Sequence, residues 1–173
     1  MRKLTFSGLI LALAAAAVPA ADVEGELYGI FGVAKIEDLD AGYNLGGGGG
    51  ILFGDVIKVG FDIEGQVINT SEDFLGVEVD LDIKMVLLNL VLEGGGPIRP
   101  YFVIGGGYAN TDLSGSAGAV TISVDLSDDA VGDAGGGIKF VVNDHFMVAG
   151  DFRYFRISEV NVARGALLVG GKF

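Results

Sequence analysis

The chain has 173 residues, half of them hydrophobic, with a formal charge of -12, 30 glycines and no cysteine. That length and apolar content suit one domain, and the acidity argues against nucleic acid and anionic surfaces as partners. Without cysteine there is neither a disulfide framework nor a lipoprotein anchor, which needs a cysteine just after the leader.

In chain order, the first predicted element is a leader. Met1-Arg2-Lys3 is a positive head, Leu9 to Val18 an apolar run and Val18-Pro19-Ala20 a small-residue cleavage site, so residues 1–20 read as a secretory signal and the mature domain as 21–173. The apolar run is shorter than the roughly 20 residues of a spanning helix. Loss of Arg2 and Lys3 takes the charge from -12 to -14.

The mature part alternates with a period of two. Strands are predicted over 24–36, 43–53, 57–68, 77–91, 99–110, 131–142, 146–157 and 161–173. The clearest is the third, where Ile57, Val59, Phe61, Ile63 and Val67 alternate with Lys58, Gly60, Asp62, Glu64 and Gln66. In the fourth, Val77, Val79, Leu81, Ile83, Met85 and Leu87 are expected on the apolar face, and Glu78, Asp80, Asp82 and Lys84 on the polar one. The connections 54–56, 92–98 and 143–145 read as compact turns. Those at 69–76 and 111–130 read as longer polar loops, the latter with room for a short extra hairpin because Val120, Ile122 and Val124 alternate.

A sheet with a continuous apolar face must cover it, and no amphipathic helix is left to do so. In hydrocarbon every backbone polar group must be paired inside the protein, so a sheet spans only by closing on itself. The fold class expected is therefore all-β, an eight-stranded antiparallel up-and-down transmembrane barrel, with short turns on one rim and long loops on the other. A soluble lipocalin-like barrel would turn the same face inward; the leader, the hydropathy and the chain end favour the membrane version.

The last strand alternates from Ala163 to Phe173 and ends on the aromatic. Upstream, Gly96-Pro97-Ile98-Arg99-Pro100-Tyr101 leads into Phe102 to Ala109, and Gly135 to Phe140 precedes Asn143-Asp144-His145-Phe146 and Asp151 to Phe155. Together these segments resemble the central turn and later strands of OmpA-like, porin-family small outer-membrane barrels of Gram-negative bacteria. The resemblance spans most of the mature chain. It implies outer-membrane localisation, Phe173 as the signal read by the barrel assembly machinery, and periplasmic chaperones during biogenesis. Membrane lipid and lipopolysaccharide are the expected surroundings, and a monomer the expected state. No tryptophan is present, so the aromatic girdle would consist of Tyr and Phe, and no peptidoglycan-binding domain is expected after the barrel.

The alternation sends a charged set into the lumen: Glu26, Asp62, Glu64, Glu78, Asp80, Asp82, Asp133 and Asp151 against Lys58, Lys84, Lys139, Arg153, Arg164 and Lys172. Charges in a narrow lumen must be paired or hydrated. The reading favoured is a plugged barrel with a structural or surface-interaction role, and the alternative is a small cation-preferring channel. Asp62 and Lys84 are expected as neighbours. The glycines at 46–50, 105–107 and 135–137 lack a phosphate-loop context and read as strand glycines that make room for long side chains. His145, the sole histidine, sits in a predicted turn, with no catalytic or metal constellation around it. Asp125, Asp128 and Asp129 lack calcium-loop spacing. No enzymatic activity, cofactor or metal is expected.

Overall fold

The computed structural model describes residues 22–37, 39–74, 77–117, 120–143 and 145–173; the expected signal segment lies outside them. Eight strands follow one another: β1 (Val23–Ile36), β2 (Ala41–Phe53), β3 (Ile57–Phe74), β4 (Val77–Gly94), β5 (Ile98–Ala117), β6 (Val120–Val141), β7 (Phe146–Ile157) and β8 (Val160–Lys172). Each pairs antiparallel with its neighbours in sequence, and β8 pairs with β1, from Glu26 opposite Lys172 to Ile36 opposite Val162, so the sheet closes into a barrel. Gly25 and Phe173 exchange backbone hydrogen bonds of 2.8 and 2.9 Å at the seam.

The fold follows from the alternation. In β3, Lys58, Asp62, Glu64, Gln66 and Ile68 are buried in the lumen, while Ile57, Val59, Phe61, Ile63 and Val67 face outward. β2 owes its glycine run to what it faces. Gly46, Gly48 and Gly50 stand opposite Gln66, Glu64 and Asp62, and a Cβ on Gly48 would lie 2.9 Å from both the Tyr28 ring and Glu64 Cγ. The lumen's large side chains occupy the space that β2 leaves open.

The turns at one rim, Gly54–Val56, Gly95–Pro97 and 142–145, are short. Gly54 and Gly96 adopt φ of 116° and 96°, a region open to glycine at little cost. At the other rim the structure corrects the expectation of polar loops. Residues 69–74 and 111–117 continue β3 and β5, and 120–130 belong to β6, so two long hairpins rise beyond the barrel as one four-stranded sheet. The 111–130 stretch is no separate hairpin. Its alternation is broken by a register shift: Thr111 stands opposite Ser127 but Asp112 opposite Asp125, leaving Leu126 as the extra residue of a bulge.

A second correction concerns the phase of β4. Ile83, Met85 and Leu87 are buried in the lumen, whereas Lys84 faces out, and Val86, Leu88, Leu90 and Leu92 continue that outward face. From Ile83 to Leu92 both faces are apolar apart from Lys84 on one and Asn89 on the other, so the strand's own period does not set the phase. Register does: Asp62 stands opposite Asn89 and Lys58 opposite Glu93, which places the polar residues of the lower half of β4 inside.

Candidate functional site

The described interior charges form two groups. Near the short turns, the Glu24 carboxylate accepts from Arg99 Nη1 at 2.6 Å, from Lys172 Nζ at 3.1 Å and from Lys58 Nζ at 3.4 Å. Arg99 Nη1 also donates to Glu93 Oε1 at 3.0 Å, and Lys139 Nζ bridges Glu93 and Glu26, 2.5 Å from Glu26 Oε1 and 5.6 Å from the centre of the Tyr101 ring. Oxygens of Glu24, Glu26 and Glu93 all lie within 4.8 Å of one another, but Lys and Arg nitrogens already bridge them. This is a salt-bridge knot in which ammonium and guanidinium groups stand where a metal would need to be.

The second group lies deeper. Arg153 reaches three carboxylates, at 2.5 Å to Glu64 and 3.3 Å to Asp133 and to Asp151. Arg164 binds Asp151 and donates to Gln66 Oε1 at 2.6 Å, with its guanidinium 5.4 Å from the centre of the Phe155 ring. Neutral donors extend the network: Tyr101 to Asp151, Asn89 to Asp62 and Tyr28 to Asp62, each at 2.7 Å. Arg153 and Arg164 are among the largest fully buried side chains. An interior cavity of about 20 Å³ touches both groups, from Glu26 and Lys139 to Asp62 and Arg153. It has room for roughly one water.

Apolar side chains, among them Ile30, Leu52, Val103, Met147 and Leu168, are buried beside the charges, and a second apolar cluster lies beyond them on the side of the long hairpins. Ala34, Ile36, Ile68, Ile83, Met85, Leu87, Ala109, Val131, Phe155, Ile157 and Val162 form one buried cluster, with Leu39 and Leu81 packed on it.

Of the sequence-predicted lumen set, the structure brings together Glu26, Lys58, Asp62, Glu64, Asp133, Lys139, Asp151, Arg153, Arg164 and Lys172 in these two groups. Lys84, Asp82 and Asp80 stand apart, a correction that follows from the phase of β4. The Lys84 side chain is exposed and pairs with Asp112 at 2.7 Å, opposite Val67 rather than beside Asp62; Asp82 accepts from Asn69, and Asp80, opposite Ser71, shares its register parity. The Glu78 side chain lies outside the described residues, as do those of Asp125 and Asp128. His145 is exposed in its turn, where the Asn143 side chain caps its backbone N–H at 2.9 Å.

Sequence reasoning missed Glu24, Glu93 and Arg99, and the polar partners Tyr28, Asn44, Asn89 and Tyr101. Glu24 was accessible by parity, two residues before Glu26. Glu93 lies inside the 92–98 stretch that reads as a turn, Arg99 directly follows it, and Asn89 is hidden in an apolar run.

The outer surface defines the class. Leu27, Ile63, Val86, Leu88 and Phe152 are each about 60% exposed, a continuous apolar surface that water would not tolerate. From Ile57 to Val67 the β3 part of this belt matches the roughly 9 to 11 residues of a tilted membrane strand. Outward Phe53, Phe102, Phe140, Phe146 and Phe173 cluster toward the short turns, and Tyr43, Tyr108 and Tyr154 toward the other rim. Aromatic residues at both borders mark the two membrane interfaces. A closed barrel with this surface is an integral membrane β-barrel.

The chain belongs to the outer membrane protein beta-barrel domain family, whose model matches residues 7–173, and its place is the outer membrane. No curated protein matches the sequence. Among solved structures it is similar to Ail, the attachment invasion locus protein of Yersinia pestis, in complex with the heparin analogue sucrose octasulfate (TM-score 0.60, 16% identity, covering 88% of this chain and 99% of that one). It is also similar to the N-terminal barrel of Pseudomonas aeruginosa OprF (TM-score 0.54, 15% identity, 88% and 99% covered) and to OprG of the same organism (0.53, 16%, 88% and 96%). At these identities the likeness is one of fold.

Proposed function

We propose that this protein is a non-enzymatic outer-membrane scaffold whose lumen is closed and whose role is to display the sheet formed by its two long hairpins to the surroundings. The observation that carries this reading is the apolar cluster from Ala34 to Val162, which fills the lumen above the ion pairs. An ion crossing from the hairpin side would shed its water against Ile68, Met85, Leu87 and Phe155, at a cost of several kcal/mol. Below that cluster, each cation already holds one or more carboxylates, so conduction would require breaking pairs as well.

Assembly through Phe173 is part of the proposal: its ring is exposed at the lower rim while its backbone is locked to Gly25. The polyanion held by Ail is the wrong ligand class here, because the rising hairpin segments 70–83 and 110–130 contain no Lys or Arg. Liposome swelling tests the reading. Vesicles loaded with the refolded protein are expected to exclude small sugars as empty vesicles do, and swelling above that background would establish the channel alternative.

A further inference from the structure

We propose that the lumen holds one monovalent metal cation, bound between Asn89 and Asp133 over Gly105; this goes beyond the closed-scaffold reading and does not depend on it. Register builds the place. Asp62, Asn89, Gly105 and Asp133 form one row across β3, β4, β5 and β6, and the three polar members are buried in the lumen. Gly105 brings no side chain to this row, and the space that a Cβ there would fill is taken by Asn89 Oδ1. With about 4.8 Å between neighbouring strands, that oxygen stands one strand away from Asp133.

The row is short of donors. Asn89 Nδ2 donates to Asp62 Oδ1 and the Tyr28 hydroxyl to Asp62 Oδ2, each at 2.7 Å, and Arg153 Nη1 reaches Asp133 Oδ2 at 3.3 Å. Asn89 Oδ1 and Asp133 Oδ1 are buried and accept from no group among the described residues. Turning the Asn89 amide over would give Asp133 a donor only by setting the amide oxygen against Asp62, so the deficit moves without closing.

Charge decides between a water and a cation. Near the short turns, Glu24, Glu26 and Glu93 meet four cations, Lys58, Arg99, Lys139 and Lys172. In the deeper group Asp62, Glu64, Asp133 and Asp151 meet two, Arg153 and Arg164, and Asp62 accepts from neutral donors alone. The two groups thus hold seven carboxylates against six cations, and the missing positive charge belongs to the group whose row has the orphan oxygens. A water would satisfy the oxygens and leave the charge unbalanced, whereas an alkali cation does both. Carboxylate and amide oxygens suit a hard ion, and a single missing charge selects sodium or potassium over calcium or magnesium, which would overshoot it and demand roughly six or more oxygen ligands. The cavity of about 20 Å³ that borders Asp62 has room for one water kept by the ion.

The test uses the full chain refolded in liposomes, with urea midpoints measured in sodium chloride and in N-methyl-D-glucamine chloride at equal ionic strength, which separates binding from screening. The midpoint is expected to be higher in sodium and to rise with its concentration; at free sodium ten times the dissociation constant, the unfolding equilibrium constant falls about elevenfold. Asp133→Asn removes the surplus charge and sets an amide donor beside Asn89 Oδ1, so its midpoint is expected to be the same in both salts. Glu159→Gln, in the exposed β7–β8 turn, is expected to keep the full difference. Thallium(I) soaked into crystals of the unaltered chain gives a readout that needs no variant, an anomalous peak between Asn89 and Asp133. Equal midpoints of the unaltered chain in the two salts, the same sodium effect in Asp133→Asn, or a lumen without a thallium peak would each overturn the inference. A midpoint that ignores the salt and follows pH alone would give the place to a proton instead.

Discussion

Three carboxylates converge on the Arg153 guanidinium, and neutralising that one residue would leave Glu64, Asp133 and Asp151 competing for what remains. Removing one partner of a buried ion network costs about 3 to 5 kcal/mol, against about 0 to 1 kcal/mol for an exposed pair. Arg153→Ala should therefore lower the urea midpoint of the refolded barrel strongly, while Lys84→Met, which breaks the exposed pair with Asp112, should leave it nearly unchanged. Equal effects would contradict the lumen assignment. Glycines give a parallel contrast. A Cβ on Gly48 meets the Ile63 carbonyl oxygen at 2.8 Å, whereas one on Gly65 meets nothing within 4 Å. Gly48→Val is expected to reduce the heat-modifiable folded band, and Gly65→Val to leave it intact.

Among the elements, legibility followed the chemical contrast between a strand's two faces. β3 is greasy on one side and charged on the other, so its phase and the lumen positions of Asp62 and Glu64 were readable from the sequence. β4 has no such contrast between Ile83 and Leu92, and its phase depends on pairing with β3, which no local pattern records. The extension of β6 escaped for a different reason: the bulge at Leu126 puts Val120, Ile122 and Val124 out of step with Val131, and frequent Ser, Asp and Gly read as loop. The β4 correction is open to a direct check. A fluorophore on Val86→Cys should be quenched by spin-labelled lipid and one on Leu87→Cys should not; the reverse pattern would restore the sequence-based phase. The upper hairpin should also be separable from the barrel. Replacing residues 112–128 with a tight turn leaves both ion-pair groups untouched, so folding yield and urea midpoint are expected to stay near those of the full chain.

For the whole molecule, the outward belt places the barrel in the membrane, and the interior decides what it does there. Eight strands enclose a lumen just wide enough for side chains to fill. In this chain the filling combines ion pairs near the short turns and a second network centred on Arg153 and Arg164, with one apolar cluster packed among them and another toward the long hairpins. Such an interior is what the proposed platform requires, and under that proposal the acidic sheet above the membrane is the surface left for recognition. The most direct measurement is single-channel recording of the refolded full chain in planar bilayers. The account expects no current steps above the bare-membrane baseline in potassium chloride at either polarity. Reproducible, cation-selective openings would contradict it and make the charged lumen a conduction path.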